Sequence, residues 1–146
     1  MAGRHRPRRT PESAAAVATA VRSYFGRFRI DPDLYRDTIT DDLSPDPADR
    51  IHAAAVIHGD VDVLLTRNMK HLRTTPVLAA GVTVATSDDF LVDLLERRRQ
   101  GVVESFIRAA GGKRNPPVTV HELADRIASA GAPRFAEDIR PLLPPG

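Results

Sequence analysis

Cysteine is absent from this 146-residue sequence, and aromatic residues make up only 5% of it. Without cysteine the chain cannot contain a disulfide scaffold, a thiolate zinc site or a cysteine nucleophile. No apolar run approaches the roughly 20 residues that a membrane span requires, and no signal-peptide core follows the N-terminal arginines. We therefore expect a cytoplasmic protein that does not contact the membrane.

The length is that of one ordinary domain, and the charge is unevenly spread along it. The formal net charge is +2, but four arginines fall in the first nine residues, which leaves −2 for the remainder. Residues 1–10 have no apolar periodicity, which predicts a disordered basic tail. Such a tail either attracts phosphate weakly or is simply a solvated chain end.

The pattern that follows predicts an α/β fold. A helix should begin at Pro11 and end before Gly26, and a short strand should follow over residues 27–30. A helix rich in small residues is expected over 48–59, and it leads into an apolar run at 61–66 that is typical of a buried parallel strand. A second strand is predicted at 81–85 and further helices begin near Thr86, Thr119 and Pro133, the last two forming a C-terminal helical pair.

Two polar clusters are placed where α/β proteins bind ligands. Asp46 and Asp49 lie at the start of the helix rich in small residues, where they could either cap backbone N–H groups or project into a site. Thr66 and Asn68 directly follow the first strand, at the edge of the sheet where ligands bind. His52, three residues after Asp49, has metal-like spacing but is interpreted as a solvated or core-edge histidine.

Together these segments resemble the second half of a PIN domain. The residues that carry the resemblance are PDPADRIHAAA at 45–55, VDVLLTRN at 61–68 and GVTVATSDDFL at 81–91. More narrowly, the sequence is similar to VapC-type toxin relatives with an added C-terminal helical region, which PPVTVHEL at 116–123 and GAPRF at 131–135 would match. The likeness extends from about Pro11 to Leu143.

This resemblance implies a metal-dependent ribonuclease, in which acidic residues hold Mg²⁺ or Mn²⁺ and activate water for attack on an RNA phosphodiester. Asp49 matches the family's acid at the start of this helix, and we expect Asn68 and Asp46 to contribute to metal binding more weakly. Thr66 matches the residue that orients the site. Arg67 and Arg50 would flank the metal, where they either meet RNA phosphate or form surface ion pairs.

The resemblance also has two departures. Asn68 stands where the family has a carboxylate, which weakens divalent metal binding. The family's opening strand with its first aspartate, and the helices with a second acid, have no counterpart before Pro11. The resemblance therefore implies an incomplete PIN-like parallel sheet, a truncated and catalytically impaired enzyme, and an exposed sheet edge that a partner could fill.

We expect a basic tail at 1–10, a partial PIN-like domain at 11–97 and a C-terminal helical region at 98–146. The expected partners are RNA, an antitoxin protein and another copy or chain in a homo- or hetero-oligomer. The alternative is a non-catalytic module that keeps the scaffold and binds an antitoxin, a sister chain or RNA. A DNA-reading helix-turn-helix over residues 119–140 is disfavoured, because its second helix begins at Pro133 and offers only Arg134 and Arg140 as basic residues.

Overall fold

The structure, a computed structural model, describes residues 10–145. Nine of the ten residues of the predicted basic tail therefore lie outside the described residues. Within them, helices dominate and two short strands form a small sheet. The elements are α1 (Pro11–Phe25), α2 (Pro47–His58), β1 (Val63–Leu65), α3 (Met69–Leu72), α4 (Thr75–Ala79), β2 (Thr83–Ala85), α5 (Ser87–Arg97), α6 (Arg99–Gly111), α7 (Val120–Ala130) and α8 (Pro133–Ile139).

The two strands pair in parallel, with Leu64 opposite Val84, and this confirms the predicted α/β class. The N–H of Thr66 donates to the carbonyl of Ala85, 2.9 Å away, so both strands run on together at their carboxyl ends. β1 was expected to be buried, but Leu65 is 44% exposed. Within the described residues, β1 also has a hydrogen-bonded neighbour on one side only.

The outer edge of β1 follows from this pairing. Because alternate residues of a parallel strand bond to one neighbour, the bonds of Asp62 and Thr66 to β2 turn the backbone groups of Val63 and Leu65 away from β2. No described residue pairs with those groups. The small sheet therefore presents an open edge beside β1.

The prediction of a strand over residues 27–30 is wrong. Residues Gly26–Phe28 instead form a turn of 3-10 helix, and the N–H of Arg29 donates to the carbonyl of Gly26 at 3.1 Å. Alternating charged and apolar residues had suggested the strand, but no strand pairs with this segment in the part of the chain that the structure describes. α1 itself forms where predicted, yet its apolar side chains are exposed to solvent.

Apolar side chains collect into two separate clusters. One lies between α2, β2 and the short helices α3 and α4, and its fully buried members include Ala53, Ala54 and Val77. The other joins α5, α6, α7 and α8 around Phe135 and Ile139. α5 contributes Leu95 to the second cluster, so the helix that follows β2 packs with the C-terminal helices.

Two helices of this second cluster, α5 and α7, are capped as the sequence predicts. Thr86 begins α5 by accepting the N–H of Asp89, and Thr119 begins α7 by accepting the N–H of Glu122, as its capping-box spacing requires. None of the helices among the described residues is long and apolar enough to cross a membrane.

Candidate metal centre

The start of α2 positions the two predicted carboxylates. Asp46 is the N-cap of the helix, and one of its carboxylate oxygens, Oδ1, accepts the N–H of Ala48 at 2.9 Å. Pro47 occupies the first helical position, where its fixed φ and missing N–H are tolerated. Asp49 lies one turn further on and makes no capping bond. The sequence left open whether these carboxylates cap the helix or project into a site. In the structure, Asp46 caps the helix through Oδ1, and its Oδ2 is left to face the site.

The turn after β1 positions a histidine. The hydroxyl of Thr66 accepts the N–H of Asn68 at 2.9 Å, and the carbonyl of Asn68 accepts the N–H of His71 at 3.0 Å. These two bonds reverse the chain and begin α3. The turn therefore carries β1 into a helix that packs against α2 and places the His71 ring beside its first turn.

Asp46, Asp49 and His71 converge at this point. The Nδ1 atom of His71 lies 3.2 Å from Oδ2 of Asp49 and 3.8 Å from Oδ2 of Asp46. One ligand atom from each of the three residues lies within 4.8 Å of the other two. The Asp49 side chain is only 15% exposed, while those of Asp46 and His71 are each 42% exposed. The cluster is therefore anchored on one side and open to solvent on the other.

This donor set fits a divalent cation. Two carboxylate oxygens and one imidazole nitrogen, with solvent access for water ligands, meet the requirements of Mn²⁺, whereas Mg²⁺ prefers oxygen ligands throughout. The neutral imidazole must bind through Nδ1, which places its proton on Nε2. The fit depends on His71, which the sequence reasoning did not include.

Asn68 lies on a different part of the same turn. Its side chain makes no capping bond, and together with Arg67 and His71 it lines a shallow pocket of about 300 Å³ formed by residues 67–71. A role for Asn68 as a metal ligand stays a prediction.

The two predicted arginines are held by other contacts. Arg50 donates from Nε to the carbonyl of Ser44 at 2.9 Å and pairs through a terminal nitrogen with Asp41 at 3.1 Å. This is the surface ion pair considered as the alternative, and it braces the loop that leads into α2. The guanidinium of Arg67 donates to the carbonyl of Ala130 at the end of α7 and packs against Gly131. RNA contact by either arginine stays a prediction.

Sequence spacing drew attention to the wrong histidine. His52 is exposed and is not part of the cluster, although it lies three residues after Asp49. The signal for His71 was its position three residues after Asn68, in a turn already expected at the edge of the sheet. What the sequence could not show is that α3 would rest on the first turn of α2.

Comparison with known proteins points to one group. A family model described as the VapC50 C-terminal domain matches residues 87–141. The chain is similar to VapC-type proteins. VapC50 of Mycobacterium tuberculosis (strain ATCC 25618 / H37Rv), which is provisionally named a ribonuclease, is 29% identical over 98 residues. The aligned part is 67% of this chain and 57% of VapC50, so the chain spans little more than half of the curated relative that it matches.

The match to the VapC50 C-terminal domain begins with α5 and ends just after α8. It therefore covers the helices that share the second apolar cluster and stops short of the metal cluster on α2 and α3. No solved structure matched the chain.

Proposed function

We propose that the chain acts as a VapC-type endoribonuclease that cleaves RNA with a divalent cation held by Asp49, Asp46 and His71. One observation carries this proposal, namely the convergence of two carboxylates and an imidazole nitrogen within 4.8 Å at the end of a parallel strand. Similarity to VapC50, itself provisionally named a ribonuclease, supports RNA as the substrate class.

Each residue of the cluster has a distinct task in this scheme. Asp49 is the most buried of the three and provides the central carboxylate, while Asp46 offers Oδ2 because its Oδ1 is committed to the helix cap. His71 adds a neutral nitrogen donor whose position depends on the Thr66 turn. A bound divalent cation would lower the pKa of water and offset negative charge on the phosphodiester.

The donor set supports Mn²⁺ over Mg²⁺ as the working ion, because imidazole is a poor ligand for the harder cation. With two carboxylates and no third acid at position 68, we expect weak binding and modest activity. In a VapC-type system, an antitoxin protein would be the natural partner and would hold the enzyme inactive.

The test is RNA cleavage by the purified chain. With labelled RNA and Mn²⁺, we expect products from the wild type, none after chelation, and at least a hundredfold loss in Asp49→Ala. The control is Asp37→Ala, which removes an exposed carboxylate that makes no ion pair among the described residues. Equal cleavage by wild type and Asp49→Ala would show that the activity comes from elsewhere and would overturn the proposal.

A second function is favoured by the exposed apolar side chains of α1, of which Val21 is 51% exposed. These suit a binding module that retains the scaffold without cutting RNA. The same assay separates the two functions, because a module holds RNA or a protein partner at micromolar concentration while leaving the RNA intact, with or without Mn²⁺.

A further inference from the structure

The end of α1 and the turn after it expose three aromatic rings. Tyr24 is 76% exposed, Phe25 62% and Phe28 67%. Elsewhere Phe106 and Phe135 are buried and pack edge to face with 6.1 Å between ring centres. A chain with few aromatic residues therefore leaves three of them in solvent within five positions, and clustered exposed apolar side chains are a feature of interaction surfaces.

Three arginines lie close to these rings in the sequence. Arg22, Arg27 and Arg29 are exposed, and none of them forms an ion pair with any described residue. The guanidinium of Arg27 lies 4.6 Å from the ring centre of Phe28. Between Ser13 and Ile30 the sequence contains no acidic residue. The surface is therefore positively charged as well as aromatic, and we call these six residues the aromatic–arginine surface.

We propose that the aromatic–arginine surface binds single-stranded RNA. Bases stack on exposed aromatic rings regardless of sequence, and arginine pairs with phosphate through two parallel hydrogen bonds. The two residue types together offer both kinds of contact that a single strand needs, stacking for its bases and positive charge for its phosphates. This inference rests on the proposed function in its choice of RNA and adds to it the place where the substrate is held.

The charge on this surface favours RNA over a protein partner. The centre of a protein interface is depleted of charged residues, because burying an unpaired guanidinium is costly. Here the guanidinium of Arg27 lies against the ring of Phe28, so an apolar partner that covered this ring would bury the charge as well. A second copy of the same surface would bring like charges together. A phosphate backbone supplies the opposite charge at each step and leaves the bases free to stack.

The surface lies toward the far end of α2 from the metal cluster. Ile30 directly follows Arg29 and packs against Gly59, where an added Cβ would come within 2.6 Å of the Ile30 side chain. Gly59 ends α2, whereas Asp46 and Asp49 begin it, and twelve helical residues at 1.5 Å each span about 18 Å. A strand of several nucleotides is needed to touch both places, so short oligonucleotides should lose the added affinity.

Binding can be measured with cleavage suppressed. Fluorescence anisotropy of a labelled single-stranded 15-mer RNA in EDTA should show at least tenfold weaker binding when Tyr24, Phe25 and Phe28 are all changed to Ala. A second variant, with Gln in place of Arg22, Arg27 and Arg29, should also bind RNA more weakly, and its binding should depend less on salt. The matched control changes to Gln three exposed arginines on other helices, namely Arg99, Arg108 and Arg126. Its RNA affinity should stay within twofold of that of the wild type.

A direct signal comes from the lack of tryptophan in the chain. Tyr24→Trp introduces a single indole, whose fluorescence stacked bases should quench. Tyr35→Trp is the control because that ring is half-buried and packs against the first apolar cluster. Wild-type RNA affinity in the aromatic variant, or equal affinity for double-stranded RNA, would overturn the proposal. So would loss of self-association or of protein binding in that variant with RNA binding intact.

These outcomes are separate from those of the nuclease test. A chain that binds RNA through this surface but never cleaves it leaves the present inference standing and removes the proposed nuclease function. If cleavage depends on Asp49 but RNA affinity is unchanged in the aromatic variant, the proposed nuclease function stands and the present inference is removed.

Discussion

At the scale of single residues, the candidate metal site depends on a contact between positions that are 22 residues apart. His71 reaches Asp49 because the Thr66 hydroxyl and the Asn68 carbonyl shape the turn between β1 and α3. In the proposed site, a shared cation would take the place of the direct contact between Nδ1 of His71 and the Asp49 carboxylate. Substituting His71 therefore tests whether these three residues bind a metal ion or only contact one another.

The residue-scale prediction concerns metal affinity. His71→Ala should weaken Mn²⁺ binding by about tenfold or more, since it removes one of three donors, and Asn68→Asp should strengthen it by adding a carboxylate to the same turn. Isothermal titration calorimetry measures both without any substrate. His52→Ala is the matched control and should bind Mn²⁺ as the wild type does. Unchanged affinity in His71→Ala would remove that residue from the site.

Residues differ in how far sequence alone could place them. Asp46 and Pro47 are local signals, and they begin α2 where the pattern predicts. Thr66 and Asn68 were correctly expected beyond the end of a strand. His71 was missed because its role arises from packing between two helices, and no local spacing reports such a contact.

At the scale of elements, the start of α8 is capped by a buried carboxylate from another helix and not by its own N-cap residue. Its N-cap position is Ala132, which cannot cap through its side chain. The carboxylate of Asp88, from the first turn of α5, instead accepts the N–H of Phe135 at 2.8 Å and that of Arg134 at 3.2 Å. Asp88 is only 9% exposed. One side chain therefore joins the starts of two helices.

The element-scale prediction is a loss of stability in Asp88→Ala. Removing this carboxylate leaves two backbone N–H groups without partners near the second apolar cluster, at a cost of about 1–3 kcal/mol in the free energy of unfolding. Urea denaturation followed by circular dichroism measures this change. Asp89→Ala is the control, because its exposed ion pair with Arg134 should contribute under about 1 kcal/mol. Equal effects of the two substitutions would contradict the capping role.

Elements also show why pattern reasoning stops where it does. The periodicity of α1 correctly predicts a helix and the side chains that share its apolar face, but periodicity does not say whether another element covers that face. The supposed strand at 27–30 failed for a related reason. Alternation is a weak signal over four residues, and without a neighbour to pair with, the segment turns on itself.

At the scale of the whole molecule, the chain has two apolar clusters with different membership. The second one draws only on residues from α5 onward, and the similarity to the VapC50 C-terminal domain begins at position 87. The domain boundary predicted after residue 97 stays a prediction. Because Leu95 and Phe135 belong to the same apolar cluster, the packing favours a boundary near residue 86. Arg67 contributes one tie between the parts, through the carbonyl of Ala130.

The whole-molecule prediction is that residues 85–145 fold without the rest. We expect a helical circular dichroism spectrum and cooperative thermal unfolding, with limited stability because a segment of this size buries a small core. Ile139→Ala in this segment should destabilise it by about 2–5 kcal/mol, since Ile139 is fully buried. Ile107→Ala, at a side chain that is 38% exposed, should have a much smaller effect. A non-cooperative melt would mean that the helices need the first cluster.

The outer side of β1 has one further consequence. The outward-facing backbone groups of Val63 and Leu65, which pair with no described residue, form a short row to which an extended peptide can be added by successive hydrogen bonds. With only two residues facing outward, the row offers few hydrogen bonds, which keeps that attraction weak. Crowded copies would meet at the same row, and a chaperone or binding protein that masks it would act as a guard against aggregation.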